Sequence, residues 1–125
     1  MPDFAIVDAH VHLFDIKRLR YEWLSGAPKI NKSHLLADYD RACAPVKVDK
    51  FVFAEVDVAS GLNIEEARFV QEIADADDRL AGMVAHLPVE RGKAIEPDLQ
   101  KLKQFPSLRG IRRLMQGEVN QAFAL

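Results

Sequence analysis

The segment Lys50–Val58, KFVFAEVDV, carries the clearest strand pattern in this chain. It is rich in β-branched and aromatic residues and predicts a buried strand. Two comparable stretches follow, LAGMVAHLPV at Leu80–Val89 and LRGIRRL at Leu108–Leu114, so these three strands begin roughly every thirty residues. The earlier apolar run Phe4–Val7 stops at an acidic residue, and a continuous run of this kind predicts a first strand that is buried on both faces.

Helical patterns lie between these strands. Ser33 is placed to cap a helix that runs to about Ala44. The tetrapeptide NIEE at 63–66 has the form of a capping box and opens a second helix, and Pro97 suits the first turn of a third. This alternation predicts an α/β fold of parallel strand–helix units, while leaving open whether the sheet is closed. Residues 117–125 predict a loop that enters another helix.

Composition excludes several classes of protein. The chain has 125 residues, a formal net charge of −2, 49% hydrophobic residues and 29% charged residues. The length and composition suit one globular domain, residues 1–125. The nearly balanced charge gives no excess of basic residues that would bind nucleic acid or an anionic membrane. No apolar run approaches the roughly 18 residues that cross a bilayer, and the N-terminus does not resemble a signal peptide, which predicts a cytoplasmic protein. The one cysteine, Cys43, is expected to be a buried structural thiol.

The pair His10 and His12 is the most informative chemical feature. Alternate residues of a strand share a face, so the two imidazoles are expected to project together from it. Asp8 lies two residues before His10. Two imidazoles on one face can hold a divalent metal when other strands supply the remaining ligands. Ligands of parallel α/β folds bind at the carboxyl ends of the strands, where this pair is expected to lie. The alternative is a pair of hydrogen-bonded core histidines.

Other polar residues fall at the ends of the later strands. A carboxylate inside FVFAEV is costly unless it is paired, so Glu55 is the best candidate for a third metal ligand or a metal-linked acid. The alternative is a pair with an arginine inside the fold. His86 is expected either to orient a substrate or to be a core residue. Arg112 and Arg113 point to opposite sides, so one is expected to bind a substrate carboxylate or hydroxyl and the other to form a structural pair.

Five segments together carry a resemblance to a known family. They are VDAHVHLFD near the N-terminus, YEWL at 21–24, FVFAEVDV, AGMVAHLPVE and RGIRRLMQ. In this order they resemble the amidohydrolase-related TIM-barrel hydrolases, and among them the sugar-lactone hydrolases, the group of the L-fuconolactonases and L-rhamnonolactonases. The resemblance runs from about residue 5 to residue 123. It implies a (β/α)₈ barrel whose active site lies at the carboxyl ends of the strands.

The resemblance also implies roles for these residues. His10 and His12 would be the first-strand metal pair, Glu55 the acid on the second strand, and one of Arg112 and Arg113 a contact of the lactone or its product acid. Zinc is the divalent metal expected, and water would attack the lactone carbonyl. A non-oxidative decarboxylase of the same superfamily and an inactive half-barrel that acts as an interaction module are the alternatives.

The length of the chain departs from this family. An eight-stranded barrel takes about 250 residues, whereas four strands are predicted here. Further histidines on the fifth and sixth strands and the aspartate on the eighth strand, the usual base, have no counterpart in the sequence. We therefore expect the N-terminal half of a barrel. It is either a piece of a longer enzyme or a chain that self-associates or binds a partner chain to complete the barrel around a small lactone or carboxylate substrate.

Overall fold

The structure, a computed structural model, describes residues 2–120 and 122–123. Its four strands are parallel and hydrogen-bonded in chain order: β1 (Val7–Val11), β2 (Lys50–Ala54), β3 (Leu80–His86) and β4 (Leu108–Arg112). Three α-helices connect them: α1 (Leu36–Cys43), α2 (Asn63–Ala76) and α3 (Glu96–Leu102). Short 3₁₀ helices lie at Glu22–Gly26, Pro28–Ile30 and Val89–Ile95. The predicted α/β fold of parallel strand–helix units is confirmed.

The core lies between the sheet and its helices. The two central strands supply side chains that are fully buried because neighbouring strands and helices surround them. Tyr39 of α1 packs its ring against Phe51 of β2, with 5.4 Å between the ring centroids. Burial of each large apolar side chain contributes about 1.5–3 kcal/mol to folding. The largest side chains of this core with less than 2% exposure are Phe51, Phe53, Leu13, Met83, Leu87, Leu102 and Val70.

The prediction for the first strand is wrong in one respect, since β1 is not buried on both faces. Phe4 is 71% exposed and lies outside the strand, and Val7 is 60% exposed. The reason is topological: β1 is an edge strand that pairs only with β2, so one side of it has no neighbour. Within the part of the chain that the structure covers, no helix is long and apolar enough to span a bilayer.

Both predicted helix caps are also wrong, because each polar side chain binds a partner that is distant in sequence. Ser33 lies before the start of α1, and its hydroxyl donates to Asp15 at 3.0 Å. Asn63 is the first residue of α2, and its amide donates to the His86 carbonyl at 3.3 Å. The last three strands end earlier than predicted, at Ala54, His86 and Arg112, and the chain then bends into loops.

Two smaller expectations have mixed outcomes. Cys43, expected to be buried, is half-buried at the end of α1. Residues 117–120 form turns and bends, which agrees with the predicted loop. The helix predicted after that loop falls partly on Gln121, Ala124 and Leu125, which lie outside the residues that the structure describes.

Arg79 links α1 to the turn between α2 and β3. Its guanidinium donates to Asp40 at 2.9 Å and to Asp77 at 2.8 Å. We expect Arg79→Ala to lower the free energy of unfolding by about 1 kcal/mol, since both ion pairs are partly exposed to water. Urea denaturation measures the change, with the exposed Arg91→Ala as control. Equal stability of the two variants would show that Arg79 adds nothing to the fold.

Candidate functional site

The predicted site residues lie at the carboxyl ends of the four strands. His10 is the penultimate residue of β1 and His12 follows the strand, Glu55 follows β2, and His86 and Arg112 are the last residues of β3 and β4. Because all four strands are parallel, these ends meet at one edge of the sheet. This edge is the candidate active site.

A β-bulge in β1 determines which of its side chains face that site. Asp8 pairs with Phe51 and Val11 pairs with Phe53, so three steps along β1 match two along β2. One carboxylate oxygen of Asp8 accepts the His10 N–H at 3.1 Å, and the other accepts the Tyr39 hydroxyl of α1 at 3.1 Å. The Asp8 side chain therefore binds Tyr39 of α1 and the His10 backbone, and it makes no hydrogen bond to the imidazole of His10 or His12.

His10 and His12 come together as predicted. Their Nε2 atoms are 3.1 Å apart and their rings are perpendicular, with centroids separated by 4.7 Å. Nδ1 of His12 lies 2.9 Å from the Ala54 carbonyl, which can only accept, so Nδ1 carries the proton and Nε2 keeps its lone pair. Burial lowers the pKa of His12, against the opposing effect of the Ala54 hydrogen bond, and the charges of His10 and Arg112 lower it further. A neutral imidazole results, the form that ligates a metal.

The geometry of this pair fits two ligands of one divalent ion. Zinc–nitrogen distances of about 2.0–2.1 Å at a tetrahedral angle place two ligand nitrogens about 3.3 Å apart. The hydrogen bond from His12 to Ala54 is the kind of outer contact that orients a ligating imidazole. Among residues 2–120 and 122–123, no group of three or more His, Cys, Asp or Glu side chains converges. The two histidines thus fit half of a four-coordinate site.

Glu55 is fully buried and bound to an arginine, as the alternative interpretation of the sequence expected. Its Oε1 accepts Nε of Arg112 at 2.8 Å, and its Oε2 accepts the Asp57 N–H at 2.7 Å. Nη2 of Arg112 also donates to the Glu55 carbonyl at 2.7 Å. Both carboxylate oxygens are therefore engaged within the protein, and a role for Glu55 as a metal ligand stays a prediction.

Arg112 and Arg113 point to opposite sides, as predicted. Arg112 turns to Glu55 and the site, and its Nη1 makes no hydrogen bond to any residue that the structure describes. Arg113 binds Glu90 at 3.0 Å and Glu118 at 2.6 Å and lies over the ring of Phe123. Arg113 is therefore the structural partner of the two, whereas a role for Arg112 in binding a substrate stays a prediction.

His86 lies at the end of β3 with one unused ring nitrogen. Its Nδ1 is buried and has no hydrogen-bond partner among the described atoms. Burial lowers the pKa of His86, which the negative charge of Glu55 partly opposes, so the ring is neutral. It lines a cleft of about 310 Å³ together with Asp57 and Asn63, and neither His10 nor His12 lines this cleft.

Glu66 is a buried acid whose position in NIEE predicted only a role in a helix cap. It is 1% exposed, and its Oε2 accepts the Val56 N–H at 3.3 Å. Burial raises the pKa of Glu66 to about 8, and the carboxylates of Glu55 and Asp57 add to the effect. Its spacing of four residues from Val70 and seven from Ile73 along α2 is the sequence signal that places it on the buried face.

The raised pKa of Glu66 makes stability depend on pH. The unfolded group ionises near pH 4.5 and the folded group near pH 8, so unfolding becomes easier as the pH rises between these values. We expect the wild-type chain to lose about 3 kcal/mol of stability from pH 5 to pH 8 through this group, and Glu66→Gln to remove that loss. Urea denaturation across this range measures it, with the exposed Glu65→Gln as matched control. Identical pH slopes for both variants would contradict the assignment.

Comparisons with known proteins bear on the fold. No family model matches the chain. It is 29% identical over 128 residues to an uncharacterised protein, y4mH, of Sinorhizobium fredii (strain NBRC 101917 / NGR234), covering 92% of this chain and 41% of that protein. An amidohydrolase from Burkholderia multivorans, solved with bound zinc, is 20% identical and superposes with a TM-score of 0.70 over 94% of this chain and 40% of its own. Amidohydrolase 2 from Bifidobacterium longum subsp. infantis is 24% identical, with a TM-score of 0.55 over 66% of this chain and 32% of its own.

These likenesses identify the architecture. The chain spans about two-fifths of the length of the curated relative and of the Burkholderia structure that it matches. Identities of this size to the solved structures show the fold alone. Four parallel strands with alternating helices therefore form an α/β fold that matches the N-terminal half of a TIM barrel-like amidohydrolase.

Proposed function

We propose that this chain forms the first half of a hydrolase barrel that opens a small, sugar-type lactone by metal-assisted attack of water on the carbonyl. The observation that carries the proposal is the His10–His12 pair, with its Nε2 atoms 3.1 Å apart and His12 oriented by the Ala54 carbonyl. Zinc suits two imidazoles in this geometry, and the Burkholderia neighbour holds zinc. The lactone class follows from the five ordered motifs of the sequence.

We assign each side chain of the site a separate chemical role. His10 and His12 would hold the ion through Nε2, and a bound divalent ion supplies a Lewis acid and lowers the pKa of water. Arg112 lies beside His12, with Nη1 directed to no described partner, and it would donate to the substrate carbonyl or product carboxylate. Glu55 holds Arg112 in place through two hydrogen bonds. His86 lines the neighbouring cleft with Asp57 and Asn63, and from there its neutral ring would orient a hydroxyl of a substrate that extends into this cleft.

Further strand–helix units would complete the barrel. β1 and β4 are the two edges of the sheet and present unpaired backbone groups. Large apolar side chains are exposed near both edges, Phe4 and Val7 beside β1 and Met115 and Val119 after β4. The larger part of the Burkholderia chain lies outside the match. We propose that polypeptide equivalent to that part closes the barrel and supplies the remaining ligand and the general base.

A chimera tests this function. The chain replaces the matching part of the Burkholderia amidohydrolase, and the product is assayed with a panel of sugar lactones and aromatic carboxylic acids beside the parent enzyme. The proposal expects ring opening, measured as acid release, in zinc-loaded protein. Release of carbon dioxide from an aromatic acid would favour the decarboxylase instead. A folded, zinc-loaded chimera that is inactive on the entire panel would contradict the lactone proposal.

A further inference from the structure

We propose that Glu66 is a positioning residue of this site: from α2 it fixes the Val56 peptide, and with it the turn of residues 54–57 on which Glu55 is presented. The inference rests on the proposed function, since it takes Glu55, Arg112 and His12 as parts of the site. It concerns a side chain that the mechanism above does not use. Glu66 touches neither the metal pair nor a substrate, so its effect would pass through the backbone.

The Val56 backbone is held from two sides by side chains outside the sheet. Its N–H donates to Oε2 of Glu66 at 3.3 Å, and its carbonyl accepts Nε1–H of Trp23 at 2.9 Å. Val56 lies beyond the end of β2, where strand pairing ceases to determine the backbone. Glu66 comes from α2 and Trp23 from the 3₁₀ helix Glu22–Gly26 between β1 and α1, so the two side chains hold the turn from two different elements of the fold.

The clamped turn carries the contacts of the site. The Ala54 carbonyl accepts Nδ1–H of His12, and the Glu55 carboxylate and carbonyl both accept from Arg112. Asp57 closes the turn with a φ of +51°, a left-handed conformation uncommon outside glycine, and its N–H donates to Glu55. The Glu55 carbonyl belongs to the same peptide group as the Val56 N–H, whereas the Ala54 carbonyl is held by the Glu55 N–H, which donates to the Val84 carbonyl of β3 at 2.9 Å. A shift of the Val56 peptide would therefore move the Glu55 carbonyl and with it Arg112, whose charge acts on His12.

The choice of a carboxyl group at this position also needs an explanation. Glu66 is 1% exposed, and a buried carboxyl group costs free energy that an apolar side chain of the same length would not. The group has one hydrogen bond to the described residues, the one from Val56. The Val56 N–H needs an acceptor, because a buried amide without a hydrogen bond is itself unfavourable. A side chain of this length on α2 supplies that acceptor.

Hydrogen exchange and NMR of the full chain test the proposal. Glu66→Gln keeps an acceptor, Glu66→Met removes it at similar size, and Val70→Ala is a core control on the same helix whose side chain makes no hydrogen bond to the turn. We expect Glu66→Met to raise the exchange rate of the Val56 amide at least tenfold relative to that of Phe53 within β2. It should also shift the resonances of the Trp23 indole N–H and the His12 ring. Glu66→Gln should restore all three, and Val70→Ala should leave the ratio unchanged.

Several results would overturn this assignment. One is a Glu66→Met variant whose Trp23 and His12 resonances match those of the wild type; another is a Val70→Ala variant that moves them equally. If Glu66→Met does not fold, the hydrogen-exchange rate of the Val56 amide in the wild type and in Glu66→Gln tests the proposal instead. Exchange as fast as that of exposed loop amides would refute the clamp. None of these readouts requires turnover, so failure of the lactone assay and failure of this inference are distinguishable.

Discussion

Replacing both His10 and His12 with alanine is expected to lower lactone hydrolysis by the completed barrel about a thousandfold, which corresponds to about 4 kcal/mol of transition-state stabilisation. In the proposed mechanism the two Nε2 atoms, 3.1 Å apart, are the ligands that this chain would offer to a divalent ion. Without them the ion is lost, and with it the polarisation of the carbonyl. The expected loss is in kcat as well as kcat/KM, because this stabilisation acts on charge that develops in the transition state.

The assay is the zinc-loaded chimera with its best lactone, and metal content is measured in parallel. His34→Ala is the matched control, since His34 contacts the Phe14 ring and the Ile30 carbonyl and lies outside the strand ends. We expect His34→Ala to retain both metal and activity. Turnover of the double variant within threefold of the parent chimera would remove the histidine pair from the mechanism.

Replacing Arg112 with methionine is expected to destabilise the fold by about 3–5 kcal/mol. Glu55 is 0% exposed, and Arg112 provides the positive charge and one of the two hydrogen bonds that compensate for burial of its carboxylate, while a second Arg112 hydrogen bond goes to the Glu55 carbonyl. Methionine keeps the unbranched, largely apolar stem of the side chain but leaves the buried Glu55 carboxylate without a positively charged partner. Removal of one partner of a buried pair is far more costly than removal of both.

The double variant Glu55→Gln/Arg112→Met separates charge from packing. A neutral amide can still accept the Asp57 N–H, so this variant should recover at least half of the stability lost by Arg112→Met. Urea denaturation at pH 7 measures both variants. A loss below 1 kcal/mol for Arg112→Met alone would show that the pair contributes little, and the buried position of Glu55 would then need another explanation.

The sheet could be predicted from sequence because its signals are local. Apolar runs at Lys50–Val58, Leu80–Val89 and Leu108–Leu114 reflect burial, and their spacing leaves room for a helix in each crossover, which requires parallel strands. The caps at Ser33 and Asn63 were wrong since each side chain found a partner far away in the sequence. Local preference for a cap gives way when tertiary contacts offer another hydrogen bond.

The candidate site, too, could be predicted where its signals are local and not where it depends on tertiary contacts. The pair His10 and His12 was predictable from the period of a strand, and a buried Glu55 pointed to an arginine partner without showing that it was Arg112. The turn of Asp8 toward Tyr39 was not predictable, because it depends on a bulge whose register is set by β2. Glu66 was missed for a similar reason, since its contact with Val56 joins two elements whose docking is a property of the whole fold.

Zinc titration of the chain, followed through its histidine ring resonances, tests whether His10 and His12 are metal ligands. We expect one zinc ion per chain, with shifts at His10 and His12, little change at His34, and loss of binding in the double alanine variant. We also expect X-ray absorption to show imidazole nitrogens at about 2.0–2.1 Å from the metal. Zinc that leaves the His10 and His12 resonances unmoved, or that binds the double variant equally well, would contradict this assignment.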